Sequence, residues 1–100
     1  MKSRRSKATD ISQKVKEEVY KRDKGCCIIC GSPGQPNSHY IRRSAGGLGI
    51  PENVVTMCFN CHNAYDNGNK RKEIADKTRK YLKSIYDNWN EEDLIFNKWR

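Results

Sequence analysis

Apolar residues near the start of the chain recur with helical spacing. Three of them stand four positions apart and would form one face of a helix: Ile11, Val15 and Val19. Asp10 followed three residues later by Gln13 resembles a capping box, which marks a helix start. Gly25 suits the end, because glycine readily adopts the left-handed conformation of helix caps. The pattern predicts a first helix over about 11–23.

The middle of the chain changes to β-branched and turn-forming residues. Residues 38–43 and the run 54–57 are typical of two short strands, with a glycine-rich loop over 44–51 between them. We expect these strands to pair as a hairpin. A short helix should follow from Cys58 and stop near Gly68, with this glycine in the left-handed cap conformation.

Helical spacing returns after Gly68. From Lys70 to about Trp89 the residues of one face are mostly apolar: Ile74, Thr78, Tyr81, Leu82, Ile85 and Trp89. They predict a long helix packed on the centre of the protein. Asn90 is a suitable N-cap for a last short helix, in which Ile95 and Trp99 would share a face.

Composition limits how much of this pattern can be held by burial alone. In 100 residues, 35% are hydrophobic and 32% are charged, which allows one small domain with a modest core. We expect a single domain over 9–100, preceded by a disordered basic arm over 1–8. A domain of this kind commonly needs disulfides or a metal for stability.

Charge points to a polyanionic partner. Lys and Arg exceed Asp and Glu by enough to give a net charge of +8, and DNA is the first candidate partner, with plain solubility as the alternative. The arm and one side of the long helix could contact phosphates; that side carries Lys72, Arg79 and Lys83. The chain has neither an apolar signal segment nor a run near the ~18 residues of a membrane span, so we expect a cytoplasmic protein without a membrane partner.

Four of the five cysteines form two Cys-x-x-Cys pairs, Cys27 with Cys30 and Cys58 with Cys61. An odd number excludes complete disulfide pairing, and thiolates of a reducing compartment more often bind metal. The pairs predict one structural zinc ion, because zinc takes four tetrahedral sulfur ligands. Cys26 could replace Cys27 or be a buried apolar residue, but the two-residue spacing favours Cys27.

Both histidines lie beside this zinc framework. His39 is on the first predicted strand, and His62 directly follows Cys61. Since four sulfurs already satisfy the zinc, His62 is free for a second, divalent metal ion. His39 has the pKa range of a general base near neutral pH. A purely structural role is the alternative for either histidine.

These residues resemble the HNH endonuclease family, and small phage-encoded HNH proteins look most similar. The similarity is carried by the run from Ser38 to Gly47, by Asn53, and by the run from Cys58 to His62. It extends over about 19–68 through the pattern Val19-x-x-Arg22-Asp23-x-Gly25-x-Cys27-x-x-Cys30-Gly31. It implies an α+β fold: a zinc-stabilised ββα-metal core flanked by an N-terminal helix and by C-terminal helices over about 70–99.

The resemblance also implies a metal-dependent DNA endonuclease that nicks double-stranded DNA. His39 would activate water, Asn53 would fix the loop that orients His39, and His62 would bind Mg²⁺, Mn²⁺ or another divalent ion. Phosphodiester cleavage needs such a base and such a charge-stabilising cation. Arg43 would share the strand face of His39 and contact phosphate, whereas Arg42 would face the other way and is the weaker DNA-binding candidate.

Ser38 departs from the family pattern, in which Asp or His commonly stands as a metal ligand. A hydroxyl is a poor ligand for Mg²⁺ or Mn²⁺. Asp66 is the candidate replacement, because it follows His62 by four residues on the predicted helix; serving the helix end is its alternative role. The competing function is a catalytically weak or inactive zinc module that binds DNA or docks on phage DNA-packaging proteins.

Overall fold

The computed structural model describes residues 4–68 and 70–96. Its helices are α1 (Arg4–Thr9), α2 (Gln13–Arg22), α3 (Phe59–Asn67) and α4 (Arg71–Ile85), and its strands are β1 (Gln35–His39) and β2 (Val54–Met57). Short 3₁₀ turns cover Arg43–Ala45 and Glu91–Leu94. Within the described residues, β1 and β2 form a two-stranded antiparallel sheet. The fold is α+β, as predicted, and its central order is strand, strand, helix.

The hairpin is confirmed, but its first strand lies earlier than predicted. β1 ends at His39, which pairs with Val54, whereas the sequence pattern placed this strand over 38–43. Beyond His39 one more backbone hydrogen bond forms, from Tyr40 N to the Asn53 carbonyl at 2.7 Å. The next backbone N–H, that of Ile41, donates instead to the side chain of Asn53 at 2.8 Å. The chain then turns into the 3₁₀ turn at Arg43.

The core lies between the hairpin and the last two helices. All four residues of β2 are buried, and its Val55 and Met57 pack with residues of α3 and α4. These partners are Tyr65, Ile74 and Leu82. α4 buries Ile74, Thr78 and Leu82 of the predicted apolar face, but Ile85 is 39% exposed, and the helix ends there rather than near Trp89.

A buried ion pair joins α2 to the rest of the core. Asp23 is 7% exposed and accepts hydrogen bonds from Arg22 Nε at 2.8 Å, from Thr56 N at 2.9 Å and from the Tyr81 hydroxyl. Arg22 also donates to the carbonyl of Val54 at 2.8 Å. Buried charges need such partners, so this pair fixes the end of α2 against β2 and α4.

The N-terminal segment differs from the prediction of a disordered arm over 1–8. Residues Arg4–Thr9 form α1, and residues 1–3 lie outside the described part. The end of α1 is docked on the loop between the strands, where Gly49 N donates to the carbonyl of Ala8 at 2.9 Å. A Cβ on Gly49 would lie 2.0 Å from the carbonyl oxygen of Asp10, so the close approach requires glycine.

The boundaries of two helices also differ from the predicted ones. α2 is capped by Ser12, whose Oγ accepts from Val15 N at 3.2 Å, so Asp10 does not serve as its N-cap. α3 ends as expected at Asn67, but Gly68 is extended, with φ −97° and ψ 178°, so the predicted left-handed cap is wrong.

At the C-terminal end, the Asn90 side chain accepts from Glu92 N at 3.0 Å, which confirms it as a cap. The element that follows is a 3₁₀ turn ending at Leu94, with Ile95 38% exposed. The expected partner of Ile95, Trp99, lies outside the described residues. Among the described helices, none combines the length and apolar content that crossing a membrane requires.

Candidate active site and metal centres

Four cysteine sulfurs meet between the hairpin and the start of α3. The Sγ atoms of Cys27, Cys30, Cys58 and Cys61 all lie within 4.8 Å of one another, and those of Cys30 and Cys58 are 3.5 Å apart. A Zn–S bond of about 2.3 Å places tetrahedral sulfurs about 3.8 Å apart. This cluster is therefore positioned to hold a metal ion, and its all-thiolate donor set fits zinc.

Local backbone structure presents each cysteine pair. The first pair lies on a turn in which Gly31 N donates to the carbonyl of Cys27 at 2.9 Å. The second pair begins α3, where Cys58 is the N-cap and its Sγ accepts from Cys61 N at 3.4 Å. Hydrogen bonds from Ser32 lower the pKa of the exposed Cys30 thiol to about 6, which favours the thiolate form that binds metal.

Cys26 lies outside this cluster. Its side chain is exposed and its Sγ lies 3.4 Å from the carbonyl oxygen of Lys24, whereas Cys27 is 3% exposed and belongs to the cluster. The two-residue spacing had favoured Cys27 over Cys26, and the geometry agrees.

Both histidines face one cavity of about 210 Å³. We call it the histidine cavity; it is lined by Asn37, His39, Arg42, Arg43, His62 and Asp66. β1 supplies Asn37 and His39, α3 supplies His62 and Asp66, and the loop between the strands supplies the arginines. The sequence had indicated all of these residues except Asn37. Asn37 was missed because the predicted strand began at residue 38, whereas β1 begins at Gln35.

His39 is held in one orientation by the N-terminal segment. Its Nε2 lies 2.8 Å from the carbonyl oxygen of Thr9. Since a carbonyl only accepts, Nε2 must carry the proton, which leaves the lone pair of the neutral ring on Nδ1. Burial lowers the pKa of His39; the Thr9 bond opposes this shift, and Arg43 and His62 add to it. The lowered pKa favours the neutral ring, whose Nδ1 can accept a proton.

His62 and Asp66 are already in contact on α3. His62 Nε2 lies 3.0 Å from Asp66 Oδ2, one helical turn away. Adjacent octahedral ligands of Mg²⁺, at about 2.1 Å from the ion, lie about 3 Å apart, so one ion could contact both side chains. Among the described residues, no third His, Cys, Asp or Glu joins this pair at metal-binding distance.

Ser38 is not aimed at the histidine cavity. It is fully buried on the opposite face of β1 from Asn37 and His39, and its Oγ has no hydrogen-bond partner among the described residues. A serine in this position cannot supply the ligand that the family pattern has there. The remaining positions around an ion at His62 and Asp66 would fall to water or phosphate oxygens.

Asn53 pins the loop that leads from His39. It is fully buried; its Oδ1 accepts from Ile41 N at 2.8 Å, and its Nδ2 donates to the carbonyls of Leu48 at 2.9 Å and Ile41 at 3.2 Å. These three hydrogen bonds tie both ends of the loop segment from Ile41 to Leu48 to Asn53, as its predicted role requires.

Replacing Asn53 by alanine should destabilise the protein strongly. The change leaves backbone groups of Ile41 and Leu48 buried without partners, at about 1–3 kcal/mol for each group that water cannot reach. We expect the free energy of unfolding to fall by about 2–4 kcal/mol in urea titrations. Asn63→Ala is the control, because Asn63 is exposed on α3; equal losses in both variants would contradict the role of Asn53.

The two arginines differ from the strand-based prediction. Because β1 ends before them, the alternation argument does not apply, and Arg42 lines the histidine cavity as Arg43 does. Arg42 donates from Nη2 to the carbonyl of Asp66 at 3.2 Å, and Arg43 pairs with Asp10. The prediction that Arg42 faces away from the His39 side is therefore wrong.

The other candidate DNA contacts are not brought to this site. Lys72, Arg79 and Lys83 lie on α4 and do not line the histidine cavity. Lys72 and Lys83 are exposed, and Arg79 lies 3.5 Å from Asp76. Their role in DNA binding stays a prediction.

Comparison with protein families identifies the central segment. Residues 27–68 match the model of the family described as HNH endonuclease. The matched segment holds both cysteine pairs, both histidines, Asn53 and Asp66, and leaves out α1, α2 and α4. A search of curated proteins finds no match to the chain.

Proposed function

We propose that the protein is a metal-dependent endonuclease that hydrolyses phosphodiester bonds of DNA, because residues 27–68 match the HNH endonuclease family model. The observation that carries this proposal is the histidine cavity, in which a neutral His39 lies opposite the His62–Asp66 pair. A base and a cation site on two sides of one basic cavity suit the hydrolysis of a phosphodiester.

His39 acts as the general base in the proposed reaction. Nδ1 takes a proton from the attacking water, while the Thr9 carbonyl keeps Nε2 protonated and holds the ring in place. Asn53 holds the loop that follows His39 in place through its hydrogen bonds to Ile41 and Leu48. Arg42 and Arg43 contact the phosphate from the loop side of the cavity.

His62 and Asp66 would hold the divalent ion, Mg²⁺, Mn²⁺ or another metal of similar preference. When bound there, such an ion supplies charge stabilisation on the phosphate and on the leaving oxygen. The four cysteines hold a zinc ion with a structural role, since no open ligand position remains in a Cys₄ site. One cavity of this kind acts on one strand at a time, so a nick is the expected product.

Plasmid nicking tests the proposal directly. Supercoiled DNA is incubated with protein of measured zinc content in EDTA, Mg²⁺, Mn²⁺ or Ni²⁺, and nicked circles are quantified on gels. We expect metal-dependent nicking and none in EDTA. Salt-sensitive DNA binding without cleavage in any metal would instead support the alternative, an inactive zinc-containing module that binds DNA or assists phage packaging. The burial of Ser38 away from the cavity is the observation that favours this alternative.

Replacing Asp66 by asparagine tests the second metal site. Loss of the carboxylate should raise the Mn²⁺ concentration for half-maximal nicking by about tenfold, which corresponds to about 1.4 kcal/mol of binding free energy. Asp76→Asn is the matched control, because it removes the same charge from an exposed position on α4. An unchanged Mn²⁺ requirement in Asp66→Asn would show that Asp66 is not a ligand of the divalent ion.

A further inference from the structure

A second and larger cavity, of about 460 Å³, opens on the other side of His39. We call it the α2 cavity. It shares Asn37, His39 and Arg43 with the histidine cavity and adds residues of the N-terminal segment. These are Asp10, Ile11, Ser12 and Lys16. All four precede the segment that matches the family model.

Charge in the α2 cavity is uneven. Arg43 and Asp10 form an ion pair and largely offset each other. Lys16 is half-buried in the wall and has no ion-pair partner among the described residues. The cavity wall therefore carries a cation with which an anionic ligand could pair. Lys14, two residues earlier on α2, is exposed and lines neither cavity.

The walls of the α2 cavity are held by contacts over a long chain distance. The carbonyl of Thr9 accepts from His39, the carbonyl of Ala8 accepts from Gly49 N at 2.9 Å, and Asp10 pairs with Arg43. The far end of α2 is anchored by the buried Arg22–Asp23 pair. The cavity is therefore built into the fold and has a fixed position relative to His39.

We propose that the α2 cavity receives the nucleotide next to the cleaved phosphodiester, with Lys16 contacting the phosphate of that nucleotide. This rests on the proposed function, which places the scissile phosphate in the histidine cavity. Because the cavities share three residues, a strand bound in one continues into the other. The volume lies within the roughly 300–1,000 Å³ typical of ligand sites, and Ile11 beside Ser12 and Asn37 offers apolar and polar contacts to a sugar.

The test compares Lys16→Gln with Lys14→Gln on a duplex oligonucleotide whose cleaved bond has been mapped. Both variants lose one positive charge from α2, but only Lys16 lines the cavity. We expect Lys16→Gln to lower kcat/KM about tenfold, mainly through KM, as for loss of one charged phosphate contact. Lys14→Gln should stay within about twofold, and Lys16→Arg should restore most of the loss.

Uncharged methylphosphonates then locate the contact. Each phosphate flanking the cleaved bond is replaced in turn, and cleavage is measured with wild type and with Lys16→Gln. A methylphosphonate in place of the phosphate that Lys16 contacts should slow the wild type about tenfold. It should leave Lys16→Gln nearly unaffected, because that variant has already lost the contact between Lys16 and the phosphate. The proposal is overturned when Lys16→Gln equals Lys14→Gln, or when every methylphosphonate affects both proteins alike.

Failure of the proposed function gives a different result. If the wild type cleaves no oligonucleotide in any metal, fluorescence anisotropy of the same duplex tests whether Lys16 contributes to DNA binding. Weaker binding by Lys16→Gln than by Lys14→Gln supports the phosphate contact without cleavage. Equal binding by the two variants would exclude the proposed contact between Lys16 and a phosphate. Zinc content and melting temperature of each variant show that the comparison concerns folded protein.

Discussion

His39→Ala is expected to lower the rate of metal-dependent plasmid nicking by about 10²–10⁴-fold, the usual contribution of a general base. The Thr9 carbonyl occupies Nε2 of this histidine, so the neutral ring has its lone pair on Nδ1. Alanine removes the proton acceptor from the cavity. The measurement is the initial rate of nicking at saturating Mn²⁺, so that weaker metal binding does not contribute.

Gln35→Ala is the matched control for this variant. Gln35 is exposed at the start of β1 and lines neither cavity, so its loss should leave the rate within about twofold. Added imidazole should recover part of the activity of His39→Ala, which loss of a structural side chain would not allow. Nicking by His39→Ala at the wild-type rate would exclude His39 as the base.

Loss of the cysteine-bound metal is expected to unfold the protein. Structural zinc contributes about 10–16 kcal/mol of apparent binding free energy, which matches or exceeds the ~5–15 kcal/mol stability of a typical domain. Cys27→Ser should therefore lose zinc and the cooperative thermal transition seen by circular dichroism. Because Cys58 caps the helix that carries His62, nicking should disappear with the fold.

Cys26→Ser provides the adjacent control. Its side chain is exposed and lies outside the sulfur cluster, so zinc content, melting temperature and nicking should all remain close to those of the wild type. The opposite pattern, with zinc lost from Cys26→Ser and kept by Cys27→Ser, would show that Cys26 is the ligand.

Features with a local chemical cause were predictable from the sequence. The two cysteine pairs indicate a metal site because ligand spacing is set by the reach of a tight turn. The apolar face of α4 and the β-branched run of β2 follow from residue periodicity. All of β2 is buried as expected, and so are Ile74, Thr78 and Leu82 of α4. His62 and Asp66 meet because residues four apart share a helix face.

Polar contacts between distant parts of the chain were decided by the tertiary structure. The Asn53 side chain accepts the backbone N–H of Ile41, and this competition between a side chain and the backbone is not visible in strand propensity. Asp10 resembles a capping residue in the sequence but pairs with Arg43, and Thr9 meets His39 across 30 positions.

The sequence by itself predicted the four-cysteine cluster, the hairpin and the long helix, because periodicity and spacing act over a few neighbouring positions. The candidate roles of His39, Asn53 and His62 came from the resemblance to the HNH family. Only the tertiary structure decided which nitrogen of His39 is available, that Arg42 reaches the site, and that Lys16 lies beside it. Each of these depends on how α1, α2 and the loop between the strands pack together. Such packing is set by the whole chain, and no local pattern specifies it.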